Sequence, residues 1–125
     1  MKNIKFLLLI GLLTNCVQER HLKTIHFKVD MRNQINFNRV GIRGDFKESQ
    51  WQKTIPMTDR NNDSIYEVTI SQKTAKNGFE FKYIKNDSVF ELSNQGNRSI
   101  SFDYESETIS IESIFNQSSS IITKN

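Results

Sequence analysis

The stretch Phe79–Arg98, FEFKYIKNDSVFELSNQGNR, decides the fold. Phe79, Phe81 and Tyr83 alternate with Glu80, Lys82 and Ile84, the period-two pattern of a strand whose two faces meet different surroundings. Asn86-Asp87 supplies a tight turn, Val89 to Leu92 read as the returning strand, and the polar loop Ser93 to Asn97 leads to Arg98 and a further strand. Flat rings beside hydrogen-bonding side chains suit a ligand with apolar faces and hydroxyl edges, as a sugar ring has.

The same alternation runs outward in both directions. Ile25, Phe27, Val29 and Met31 alternate with His26, Lys28, Asp30 and Arg32 from Thr24 onward. Val40 and Ile42 mark a second strand that closes at Gly44-Asp45-Phe46, and Thr54 to Met57 reads as an edge strand because Pro56 has no N–H to donate. Ile65 to Ile70 predicts another strand, with Tyr66, Val68 and Ile70 on one face, followed by a polar connection from Ser71 to Asn77. Ile100 and Phe102, then Thr108 to Ile114, complete a set of about seven to eight short strands, and no stretch sustains a helical period. The expected fold is all-β, an antiparallel β-sandwich over residues 24–115, with a frayed tail at 116–125.

The start of the chain has a different composition. MKNIKFLLLIGLLTNC has Lys2 and Lys5, then an apolar run from Phe6 to Leu13, too short for the ~20 residues that span a bilayer. LTNC resembles the lipobox of bacterial lipoproteins, which implies a signal peptide at 1–15, cleavage before Cys16 and lipidation of that thiol. Residues 16–23 then read as a tether. The expected location is the cell envelope after export across the inner membrane, with the outer membrane as the expected destination and the lipid as membrane anchor. Cys16 is the only cysteine, so no internal disulfide forms. Without Lys2 and Lys5, the seventeen Lys and Arg fall to fifteen, against fourteen Asp and Glu. A near-neutral balance removes the charge case for nucleic acid.

Two chemical readings compete with a binding surface. Asp59, Asn61 and Asp63 sit two apart, as at the start of a calcium loop, but Ser64 stands where such a loop has glycine and no glutamate occupies its twelfth place. A β-turn is the favoured reading of that segment. His21 and His26 are the only histidines, and no GxSxG or HExxH motif is present. Asp103, Glu105 and Glu107 alternate near a strand end, the pattern of a solvated face. No catalysis and no cofactor are expected. Trp51, in a loop among polar residues, is either an exposed stacking platform or a lid on the core; Phe90, just after a turn, is a second aromatic that can face solvent.

These residues resemble a known family. Gly44, Trp51, Phe81-Lys82-Tyr83, Phe90-Glu91 and Asn97-Arg98 occur in the order found in carbohydrate-binding module family 20, the starch-binding modules, and in the related glycogen-binding domain of AMP-activated protein kinase. The resemblance runs from about Thr24 to Phe102. It implies an immunoglobulin-like sandwich, with Trp51 and Phe90 stacking on a glucan and Lys82, Glu91 and Asn97 bonding its hydroxyls. Phe90 stands where the family usually has a second Trp, and the loop from Glu91 to Asn97 is longer than usual. The expected function is therefore non-catalytic, weak binding of an α-glucan by a lipoprotein. The alternative is a structural or adaptor lipoprotein whose sugar site has degenerated and which docks to an envelope protein partner.

Overall fold

The computed structural model describes residues 18–125; the signal peptide and the lipidated Cys16 expected from the sequence lie outside the described residues. Nine strands run in order: β1 His21–Asp30, β2 Val40–Gly44, β3 Ile55–Met57, β4 Ile65–Thr74, β5 Gly78–Lys85, β6 Val89–Phe90, β7 Arg98–Ser101, β8 Glu107–Ile114 and β9 Ser120–Lys124. They form two sheets, β4-β1-β8-β9 and β3-β2-β5-β6, with β7 also paired to β5. The protein is an all-β sandwich. One pairing departs from the antiparallel expectation, because β1 and β8 run parallel with Phe27 beside Ile111.

The alternation read from the sequence builds the core. Ile25, Phe27 and Val29 from β1 meet Phe79, Phe81 and Tyr83 from β5, all buried, together with Ile42, Ile109, Ile111 and Phe115. Their rings stack edge to face, with Phe27 and Phe81 centroids 5.0 Å apart and Phe46 and Phe79 5.6 Å apart. Among the described residues, every member of this cluster lies between Ile25 and Phe115, so the chain from Gln18 onward carries a contiguous core of its own.

The sequence misses both strand ends that carry polar residues. β1 starts at His21, inside the expected tether, and β4 continues to Thr74 through the expected loop; the two ends pair with each other, His21 with Thr74 and Thr24 with Ser71. The C-terminal segment expected to fray is instead β9, antiparallel to β8 with Ile122 beside Ile111. At this end of the sandwich the interior is charged. Lys23 is 2% exposed and donates to Glu107 at 2.6 Å and to the Asp103 carbonyl at 2.7 Å, while Lys124 approaches the other Glu107 oxygen at 3.1 Å. Such residues leave no apolar period to read.

Burial raises the Glu107 pKa, but the Lys23 and Lys124 ammoniums outweigh it and hold the carboxyl below its ordinary value of 4.5. A folded-state pKa below the unfolded one means that Glu107 stabilises above about pH 4.5 and that this contribution is lost as pH falls through the folded value. Glu107→Gln is therefore expected to be less stable at pH 7, yet to lose less stability than the native chain between pH 5 and 3. Thermal melts across that range check the slope; parallel curves contradict the assignment.

Among the described residues, Gly41, Gly44 and Gly78 are each required by close approach of neighbouring backbone. A Cβ on Gly44 would lie 2.6 Å from the Glu80 carbonyl and 2.5 Å from the Phe46 ring, and one on Gly78 would collide with the Ile100 carbonyl. Backbone atoms yield little, so Gly78→Ala is expected to destabilise by about 1–3 kcal/mol, measurable by denaturant unfolding, whereas Gly96→Ala, with open space around it, stays within about 0.5 kcal/mol.

Candidate functional site: the outer face of the second sheet

Side chains that alternate with the core residues of β2 and β5 form the outer face of the second sheet. Arg43 stands beside Lys82 in register, and Gly41, Ile84 and Phe90 form the next row across β2, β5 and β6. Ile84 is 1% exposed although it lies outside the core cluster, so this face is itself covered, while Phe90 remains 38% exposed. The tight turn before Phe90 is as expected: Asn86 and Asp87 both take left-handed φ near 55°, and Ser88 completes a three-residue connection between the paired Lys85 and Val89.

β6 and β7 pair with the same edge of β5, one with Ile84-Lys85 and the other with Gly78–Phe81. They are one strand interrupted by the loop Glu91–Asn97. Lys82 holds that loop: its ammonium donates to the Leu92 and Gln95 carbonyls, each at 3.1 Å. Leu92 and Asn94 take φ of 53° and 62°, and the Leu92 N–H donates to the Asn116 side chain at 2.8 Å.

Glu91 corrects the sequence expectation. It is 0% exposed and binds Arg98 in a two-pronged pair, with Arg98 Nε at 2.7 Å from Oε2 and Nη2 at 2.8 Å from Oε1. Its oxygens also accept the Tyr83 N–H at 3.0 Å and the Asn116 N–H at 3.2 Å. A carboxylate with its lone pairs taken in the interior is not open to a hydroxyl from solvent. Burial pushes the neighbouring Tyr83 phenol above its ordinary value, so it stays neutral beside the pair. Glu91 is a structural group.

Trp51 sits at the end of a tightly hydrogen-bonded loop after β2. Ser49 is buried, its hydroxyl accepts the Gly44 N–H at 3.2 Å and donates to the Lys53 carbonyl at 2.7 Å, and the Trp51 N–H donates to the Gly44 carbonyl at 2.8 Å. Trp51 is half-buried, outside the core cluster, and takes φ of 61° directly after Gln50 at 45°. A bulky side chain in the left-handed region is an outlier held against its own preference, and such strain concentrates at functional positions. Arg43, which is not among the residues that carry the family resemblance, links the two aromatic residues. Its guanidinium lies 5.6 Å from the Phe90 ring centre, and it donates to Thr54 Oγ1 at 2.8 Å and to the Trp51 carbonyl at 3.4 Å. The only signal for Arg43 in the sequence is its outward phase next to Ile42.

Of the five residues expected to bind, Trp51, Phe90 and Asn97 therefore reach the surface, Lys82 is half-buried and clasps a loop, and Glu91 is interior. The acidic segment is a turn. Asp59 accepts the Asp63 and Ser64 N–H groups at 3.1 and 2.8 Å, and Asp63 accepts that of Ile65 at 3.0 Å. Desolvation raises the Asp59 pKa, yet the backbone donors Ser64 and Asp63 outweigh it and lower the value overall. Among the described residues, no three His, Cys, Asp or Glu side chains converge on a metal position. The calcium reading of Asp59, Asn61 and Asp63 gives way to side-chain-capped turns with Asn62 and Ser64 at positive φ.

No family model matches the chain, and no curated protein matches it. Among solved structures it is similar to the solution structure of CBM25-2, a carbohydrate-binding module of the beta/alpha-amylase from Paenibacillus polymyxa. The two share 13% identity with a TM-score of 0.52 over 84% of this chain and 94% of that one. At this identity the likeness speaks for the fold alone, and it names a module of family 25 where the sequence motifs resemble family 20. The chain thus has a carbohydrate-binding-module-like β-sandwich fold.

Proposed function

We propose that the protein is a non-catalytic, lipid-anchored carbohydrate-binding protein that takes an α-glucan weakly on the outer face of the second sheet. The observation that carries this reading is the Trp51–Arg43–Phe90 arrangement: a strained aromatic residue and an exposed ring, joined through one guanidinium. Trp51 and Phe90 stack on sugar faces, while Arg43 and Asn97 supply hydrogen bonds at the rim. Lys82 acts indirectly, by holding the loop that carries Asn97. Shallow stacking with few hydrogen bonds gives dissociation constants of roughly micromolar to millimolar. Cys16 tethers the domain to the envelope membrane.

Support comes from the carbohydrate-binding-module-like fold and from the chemistry of the face. A glycan-array screen of the domain, followed by affinity electrophoresis in amylose and glycogen, tests it. Retardation by glucan is the expected result, and free migration in every glycan gel contradicts it. One observation favours a second reading, an adaptor lipoprotein with a lost sugar site. Two of the family's polar positions, Lys82 and Glu91, are occupied with holding the fold together. That reading gains if no glycan binds and an envelope protein is retained by this face.

A further inference from the structure

We infer that the open groove where the chain enters the sandwich rests on an anionic lipid surface. The groove encloses about 680 Å³ and is bordered by Gln18, Arg20, Lys47, Lys73 and Lys76, with Asp45 as its one carboxylate. Arg20, Lys47, Lys73 and Lys76 are all exposed, and Asp45 pairs with Lys76 alone, at 3.3 Å. Among the described residues, Arg20, Lys47 and Lys73 have no acidic side chain within ion-pair distance. Nearby Glu19 turns instead toward His21, at 3.8 Å.

Four cations facing one carboxylate stand out on a domain whose total is fifteen positive against fourteen negative side chains. The positive charge is therefore concentrated here, with a net negative remainder elsewhere. Covalent geometry then decides the occupant. Gln18 borders the groove, and Cys16 lies two residues earlier, so their Cα atoms are separated by at most about 7 Å. That is shorter than the Debye length of about 10 Å at 0.1 M salt, so anything that fixes Cys16 at a membrane surface keeps the groove inside the attraction of lipid phosphates. The groove also sets orientation, since β1 and β4 run from it into the sandwich.

The inference goes beyond glycan binding and needs no glycan for its test. The chain from Gln18 onward, which carries the core cluster Ile25–Phe115, is mixed without any lipid modification with phosphatidylcholine vesicles, and with vesicles containing about one third phosphatidylglycerol. Sedimentation is expected to show at least about tenfold more bound protein with the anionic vesicles, lost on raising salt to about 0.5 M. Lys47→Glu/Lys73→Glu removes the preference. Lys53→Glu/Arg60→Glu, exposed residues outside the groove with the same change in net charge, keeps most of it. Equal binding to both vesicles overturns the inference, as does equal loss in the two variants. Retention on an acidic peptide column without vesicle binding assigns the groove to a protein and overturns it as well.

Discussion

Arg98→Ala is expected to cost about 3–5 kcal/mol, the largest single loss in this chain, because it leaves Glu91 charged and unpaired in the interior. Small domains have about 5–15 kcal/mol in total, so the variant should sit near its unfolding midpoint at physiological temperature. The pair joins the two sheets. Glu91 follows β6 and receives the backbone N–H of Tyr83 in β5, while Arg98 in β7 donates to the carbonyls of Ile114 at 3.0 Å and Gln117 at 2.6 Å and to Ser120 Oγ at 3.0 Å. Through these bonds the interrupted edge strand of one sheet is fastened to the β8–β9 turn of the other. An apolar double replacement, Glu91→Leu/Arg98→Met, is not expected to restore stability. It would strand three backbone groups, the N–H of Tyr83 and Asn116 and the carbonyl of Gln117, while the Ile114 carbonyl keeps the Gln117 N–H. Urea unfolding of the single and double variants decides the matter, and a loss under about 1 kcal/mol for Arg98→Ala contradicts it.

Trp51→Ala is expected to weaken glucan binding at least about tenfold, enough to abolish retention in a glycan gel, while the domain keeps its fold. The more informative variant is Trp51→Gly. Glycine takes φ of 61° without steric cost, so the variant loses the ligand but gives up no more stability than the half-buried side chain contributed, partly offset by about 1 kcal/mol of relieved strain. A tryptophan kept for binding and held against its backbone preference gives that pattern of lost function with nearly unchanged stability. A tryptophan kept as a lid gives the opposite, a large drop in melting temperature with no ligand to lose.

The sandwich was legible because its core strands obey a strict alternation. Ile25-Phe27-Val29 and Phe79-Phe81-Tyr83 each put every second residue into one interior, and the structure buries all six. What escaped was written in charge. Lys23 and Glu107 are buried at the polar ends of β1 and β8, where a hydrophobic period is absent by construction, so the reach of β1 back to His21 and of β4 on to Thr74 was hidden. β9 escaped for a related reason. Its sequence, SIITK, is short and follows a serine run, and it is held by pairing to β8 and by Lys124 reaching the Ser101 carbonyl at 2.9 Å. At the candidate site, Trp51 and Phe90 were readable as aromatics in loop and turn positions. The role of Glu91 was not, since a glutamate next to an exposed ring looks solvent-facing until Arg98, seven residues on, is folded against it.

The most direct measurement is a titration of isotope-labelled domain with a maltooligosaccharide, following backbone amide and indole N–H resonances. Saturable shifts are expected at the Trp51 indole, Arg43, Phe90 and Asn97, with the basic groove around Lys73 unmoved. Resonances that stay fixed throughout, or that move only on the other sheet, contradict it.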